Sequence, residues 1–151
     1  MKKYSAQDIL QAREERVELQ KDLIDRHKRP LLVMRVNYPG LEKNNDLASS
    51  IMEILEDVID GIFEYKIEYK LSLYTAEGQI LMVIIDGSPL EIKETAIQIE
   101  ENHILGRTVD IDIYDEAGDC VSRSTLGYPM RNCYLCNDMA QNCVRSKKHR
   151  E

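Results

Sequence analysis

FEYKIEYKLSLYTAEGQILMVII, residues 63–85, holds two kinds of strand joined by a turn, and its reading sets the fold. Phe63, Tyr65, Ile67, Tyr69, Leu71 and Leu73 alternate with Glu64, Lys66, Glu68, Lys70, Ser72 and Tyr74, which predicts a strand with one buried face. Ala76-Glu77-Gly78 supplies the hairpin turn. Ile80 to Ile85 is continuously apolar, the pattern of a strand covered on both faces.

Working outward, the same two patterns recur. Leu31–Val36 is a second continuous apolar run, and Val109–Tyr114 a second alternating one. Between them lie two amphipathic segments. Asp46 opens a helix with Leu47, Ile51, Leu55, Val58 and Ile62 at helical spacing; Pro89 starts another, with Leu90, Ile92, Ala96, Ile97 and Ile99, ending near Asn102. Tyr38-Pro39-Gly40 turns the chain after the first strand. The order is strand, helix, strand, strand, helix, strand, a split βαβ of the ferredoxin-like α+β sandwich. In that topology the first and third strands are central, and those are the two continuous runs. An extra helix precedes this core: Ser5 caps it, Asp8 stands in capping-box spacing, Ile9, Leu10, Val17, Leu23 and Ile24 form a weak apolar stripe, and Pro30 marks the end. The predicted organisation is one domain, 1–151, with an N-terminal helix over 1–29, a βαββαβ core over 30–115 and a Cys-rich basic arm over 116–151. The central strands need a cover on their helix-free face, from the first helix or the arm.

Composition narrows the function. The chain has 151 residues, net charge −7 and 43% hydrophobic residues, with pI near 5.1. An acidic protein of this kind is no general binder of nucleic acid or of anionic membrane. No apolar run is long enough to span a bilayer, and MKKYSAQDIL lacks the core of a signal peptide, so the expected location is the cytoplasm. Charge is segregated: residues 30–103 carry five Lys/Arg against fourteen Asp/Glu, whereas Ser122 to Arg150 holds six basic residues and one acidic, Asp138. Solubility accounts for such a pattern, and so does a local site for a polyphosphate.

The sharpest chemical signal is Val109-Asp110-Ile111-Asp112-Ile113. Residues two apart on a strand share a face, with Cα atoms roughly 6.6 Å apart. Two carboxylates so placed repel one another, and a divalent cation such as Mg²⁺ relieves that while gathering phosphate oxygens. A solvated edge strand whose charges block aggregation is the competing account. Leu105-Gly106-Arg107 just upstream, with Glu100 and His103 before it, completes a phosphate-transfer constellation. In the arm, Cys133-x-x-Cys136, Cys143 and His149 are enough for a closed, structural Zn²⁺ site, with free thiols as the alternative; Cys120 stands apart as a small apolar filler.

These residues resemble the signature of the holo-citrate lyase synthase family, also called apo-citrate lyase phosphoribosyl-dephospho-CoA transferases. The resemblance runs from Glu100-Glu-Asn-His103 through Leu105-Gly106-Arg107 to Asp110-Ile-Asp112, then Ser122-Arg123, Arg131-Asn-Cys133-Tyr-Leu-Cys136, Ala140, Cys143, Arg145, Lys147 and His149. Upstream it takes in Arg13-Glu-Glu15-Arg16 and Pro39-Gly40-Leu-Glu-Lys43. It departs at Ile104, where the family typically has proline, a change of loop stiffness more than of chemistry. The resemblance implies a nucleotidyltransferase-type enzyme of citrate lyase maturation. The donor would be 2′-(5″-triphosphoribosyl)-3′-dephospho-CoA and the acceptor a serine on the acyl carrier (gamma) subunit, with pyrophosphate leaving. Asp110 and Asp112 would hold Mg²⁺. Arg107 would clamp phosphate, and His103 would take the serine proton or contact phosphate. Glu100 would orient His103 or act as an outer metal ligand. Lys43, Arg123 and Arg131 are further phosphate candidates. Arg13 and Arg16 would meet donor or carrier, with a solvated face as the equal alternative. Pterin pyrophosphokinases offer a second, looser likeness in Gly-Arg-Thr-x-Asp-x-Asp on the last strand of a βαββαβ domain. Two other readings stay open on the residues alone: a small-molecule pyrophosphokinase or nucleotidyltransferase, and a non-catalytic, zinc-stabilised binding module. Since acyl carriers are usually acidic, the arm and first helix are expected to supply a basic, salt-sensitive docking surface.

Overall fold

The computed structural model describes residues 4–37 and 46–129. Three helices and four strands follow in the order α1 (Ala6–His27), β1 (Leu31–Val36), α2 (Asp46–Ile62), β2 (Ile67–Thr75), β3 (Gly78–Ile85), α3 (Pro89–Asn102) and β4 (Val109–Tyr114). The strands form one α+β sheet in the order β2-β3-β1-β4, antiparallel at every pairing. The two continuous apolar runs are the two central strands, and the two alternating runs are the edges.

Alternation across the sheet sorts the core into two layers. Leu32, Met34 and Val36 of β1, Leu81, Val83 and Ile85 of β3, and Val109, Ile111 and Ile113 of β4 face α2 and α3 in the larger cluster. Leu31 and Val33 of β1 face the other way with Ile80, Met82 and Ile84, and Leu23 and Ile24 of α1 cover them. The first helix therefore supplies a cover for the central strands. Its start is the expected capping box: Asp8 N–H donates to Ser5 Oγ and Ser5 N–H to Asp8 Oδ2. Its end is Lys28, left-handed at φ 56°.

Three sequence expectations need correction. Ile9, Leu10 and Val17 do not face the sheet; they are exposed, and the buried face of α1 is Ala12, Arg16, Gln20, Leu23 and Ile24. Apolar periodicity misses this face because two of its five members are polar and buried by pairing. The second strand begins at Ile67 rather than Phe63. Phe63 directly follows α2, its N–H bonded back to Ile59 O and its side chain in the larger cluster, and Lys66 N–H closes a turn onto its carbonyl at 2.7 Å. A register shift between Ile67 and Tyr69 then sends Ile67 to the α2 side and Tyr69 and Leu73 to the α1 side. On α2 the buried stripe is Ala48, Ile51, Met52, Leu55 and Ile59, with Leu47 and Ile62 left outside.

After β4 the chain turns back on itself. Asp115 Oδ1 accepts from the N–H groups of Ala117 and Asp119, Cys120 bridges Tyr114, and Val121 N–H donates to Ile113 O. Val121 enters the larger cluster, so this first part of the arm is packed on the core. Among the described residues, no helix is long and apolar enough to cross a membrane.

Candidate active site

Asp110 and Asp112 stand on the α1 side of β4, opposite to Val109, Ile111 and Ile113. Pairing with β1 puts Arg35 across from Asp110 and Val33 across from Asp112. Both carboxylates are half-buried, so the pair is neither split between faces nor sealed beneath helices. Asn37 Nδ2 donates to Asp110 Oδ1 at 2.6 Å. Asn37 holds that place because its own N–H extends the β1–β4 pairing to Thr108 O. Asp112 has the Arg35 guanidinium 3.8 Å away. Burial raises the Asp112 carboxyl above its ordinary range, Arg35 opposes the rise, and the charge of Asp110 adds to it.

Arg35 belongs to a longer chain of charges. Its Nη1 lies 3.3 Å from Glu77 Oε2, and Glu77 also accepts from Arg16 Nε at 2.8 Å. Gln20 accepts from Arg16 Nη1 at 2.8 Å. Glu77 sits at the tip of the β2–β3 hairpin, where Gly78 takes φ 100° and Thr75 Oγ1 accepts the Glu77 N–H. The hairpin thus folds the Glu77 side chain under α1, where Arg16 meets it; their side chains are 9% and 8% exposed. Of the pair proposed on the first helix, Arg16 is consumed in this buried network, whereas Arg13 is exposed. Sequence reasoning missed Arg35, Asn37 and Glu77. A charged residue inside an apolar strand run was the available signal for Arg35; the others are joined to the site only by strand pairing.

The remaining candidates fall in two groups. Glu100 is buried on the α3 side: Oε2 accepts Ile111 N–H at 2.8 Å and Oε1 accepts from Arg123, which also holds Glu101. Glu100 and Arg123 therefore brace β4 from behind the aspartate face. Gly106 also has a packing reason, since a Cβ there would lie 2.1 Å from Ile99 O and 2.7 Å from Glu100 O. Arg107 is half-buried in the short 3₁₀ turn that leads into β4. His103 ends α3, and its Nδ1 accepts Leu105 N–H at 3.0 Å. In that tautomer the ring presents Nε2–H, a donor suited to phosphate rather than a free base. Lys43, Arg131, Cys133, Cys136, Cys143 and His149 lie outside the described residues, as do the Tyr38-Pro39-Gly40 turn and the proposed zinc site.

Among the described residues no group of three or more His, Cys, Asp and Glu side chains forms a metal site. Two carboxylates still fit Mg²⁺, which accepts hard oxygen ligands and commonly takes only one or two from protein, the rest from water and phosphate.

Paired carboxylates on a half-exposed sheet face, with the Arg35 guanidinium beside them, can hold a hard cation and, through it, phosphate oxygens. Comparison with known proteins places the chain among the transferases. The family described as apo-citrate lyase phosphoribosyl-dephospho-CoA transferase matches residues 4–151, and the chain belongs to it. An Escherichia coli protein named apo-citrate lyase phosphoribosyl-dephospho-CoA transferase is 31% identical over 148 residues, 96% of this chain and 81% of its own length. A Vibrio cholerae protein named probable apo-citrate lyase phosphoribosyl-dephospho-CoA transferase is 30% identical over 149 residues, 96% and 84% respectively. A Citrobacter koseri relative under the first of these names is 30% identical over 148 residues.

Proposed function

We propose that this enzyme transfers the phosphoribosyl-dephospho-CoA group from 2′-(5″-triphosphoribosyl)-3′-dephospho-CoA to a serine of the apo-citrate lyase acyl carrier subunit. Family membership supports the reaction class. The observation that carries the site assignment is the placing of Asp110 and Asp112 side by side on an accessible face, with Arg35 and Asn37 as neighbours. The serine Oγ attacks the innermost phosphorus of the donor. A P–O bond to serine forms, the bond to the bridging oxygen breaks, pyrophosphate leaves with that oxygen, and the serine proton passes to a base. The core reads as a ferredoxin-like sandwich, which fits a polyphosphate site on the sheet face away from α2 and α3.

Asp110 and Asp112 would hold Mg²⁺, which when bound supplies charge neutralisation at the transferring phosphorus and the departing pyrophosphate. Asn37 fixes Asp110 through its amide. Arg107 offers a planar fork to phosphate from the turn preceding β4. His103 Nε2–H is a second donor. Glu100 and Arg123 hold the strand that carries the pair. Cys133, Cys136, Cys143 and His149 would bind a structural Zn²⁺ that orders the basic arm for carrier docking.

Intact-mass measurement tests this reading directly. Apo carrier incubated with the protein, donor and Mg²⁺ should gain one phosphoribosyl-dephospho-CoA group with one pyrophosphate released, and EDTA should stop both. An unmodified carrier, or donor turnover that needs no carrier, overturns it.

A further inference from the structure

The charged network under α1 contains two arginines, and they are not held alike. Arg16 is 8% exposed and makes short bonds to Glu77 and Gln20, so its charge is spent inside the fold. Arg35 is 27% exposed, and its ties are long: 3.3 Å to Glu77 and 3.8 Å to Asp112. Its Nε is buried and has no hydrogen-bond partner among the described residues, and beside it the buried Oδ1 of Asn37 has none among them either. Native proteins pair buried polar atoms, so an unpaired Nε on a guanidinium whose other contacts are long leaves Arg35 under-partnered beside the aspartate pair.

We infer that Arg35 is a further donor-binding residue, whose guanidinium, presented by Glu77 beside the aspartate pair, takes a phosphate oxygen of the donor. This rests on the transferase reading given above. Arg35 lies in register with Asp110 on the same sheet face, so it reaches whatever polyphosphate the pair receives. Its planar fork has five N–H donors, and the long present contacts leave them to be drawn onto an anion. Glu77 is the positioning residue: Arg16, itself held by Gln20, fixes it from α1, and it aims Arg35 along the sheet.

A merely neutralising role for Arg35 toward Asp112 makes a different forecast, and two substitutions separate the cases. Arg35→Met keeps much of the aliphatic stem, and Arg35→Lys keeps the charge without the fork. Binding of inorganic tripolyphosphate is measured by calorimetry with Mg²⁺ present, and donor KM and kcat are measured on the carrier. Arg35→Met should weaken tripolyphosphate about tenfold or more and raise donor KM by a similar factor. Its kcat should stay within about threefold of the parent, and Arg35→Lys should recover part of the loss. Parental tripolyphosphate affinity in a natively folded Arg35→Met protein overturns the inference. So does a loss confined to kcat, or a parent that binds no tripolyphosphate. Should Arg35→Met fail to fold, Arg35→Lys decides by the same titration: weakened binding supports the fork, and unchanged affinity overturns it. A parent that binds tripolyphosphate yet never modifies the carrier defeats the transferase reading alone, and the titration still decides Arg35.

Discussion

Arginine meets carboxylate on both sides of β4, under different constraints. On the α3 side Arg123 joins Glu100 and Glu101, Glu100 also accepts the Ile111 N–H, and Glu100 is 4% exposed. On the α1 side Arg35 stands between Glu77 and Asp112 at longer distances, and Asp112 is 34% exposed. Closure on the first side compensates buried charge with several short bonds, as a structural ion pair requires. Looseness on the second leaves charge in reach of a ligand. Residue type alone does not separate a brace from a site; the separation lies in how fully each group is partnered.

Removing the aspartates tests the open side, with the largest effect. Asp110→Asn and Asp112→Asn should each lower carrier-modification rate by about 10³-fold through loss of charge stabilisation. Neither should unfold the protein. The raised pKa of Asp112 gives a sign for stability. Ionising it costs the fold; that cost is absent below the unfolded-state value and is present once pH passes the folded value. Asp112→Asn should therefore melt no lower than the parent at neutral pH, with the difference shrinking toward about pH 4. A melting point well below the parent at neutral pH would make Asp112 part of the brace.

The closed side should respond in the opposite sense. Glu100→Ala leaves Arg123 without its buried partner and exposes the Ile111 N–H to an empty site, costing about 3 kcal/mol in urea unfolding. Rate per folded molecule should change little. Gly106→Ala ranks next, at about 2 kcal/mol, because its methyl collides with the last carbonyls of α3 and the turn must shift. A rate loss larger than the stability loss in either variant would move that residue into the chemistry.

The sheet was readable because burial leaves different traces on central and edge strands: Leu31–Val36 and Ile80–Ile85 run apolar, and Val109–Tyr114 alternates. Where a physical device interrupts the pattern, reading fails. The shift between Ile67 and Tyr69 changes faces within one strand, and Phe63 continues the alternation while belonging to a helix end. The α1 stripe misleads for another reason. Arg16 is buried by Glu77, which arrives from 61 residues along the chain, and Gln20 by its bond to Arg16, while Ile9 and Leu10 are left outside. Face sharing by Asp110 and Asp112 is local and follows from strand period. Its surroundings are not local: Arg35 and Glu77 are 42 residues apart, and Asn37 and Asp110 are 73 apart. Glu100 and His103 share a helix end with the motif, which drew them into one constellation, yet Glu100 serves the back of the strand.

The smallest expected effect reads the charge of Asp112 from outside. Cys120 bridges Tyr114, two residues along β4, and its thiol is raised above its ordinary value by partial burial, with the charge of Asp112 adding to the rise. The thiolate is the species that alkylates. Asp112→Asn removes one anion and lowers the Cys120 pKa, so alkylation by iodoacetamide at about pH 8 should quicken by about two- to threefold. Peptide-resolved mass spectrometry separates Cys120 from Cys133, Cys136 and Cys143. Glu100→Gln is the control on the closed side, and it should leave the Cys120 rate unchanged. Equal acceleration by both variants would mean that loosening of β4, rather than charge on the open face, governs the thiol. Acceleration by Asp112→Asn alone would tie Cys120 to the ionised aspartate and give a direct probe of any cation or phosphate that later binds there.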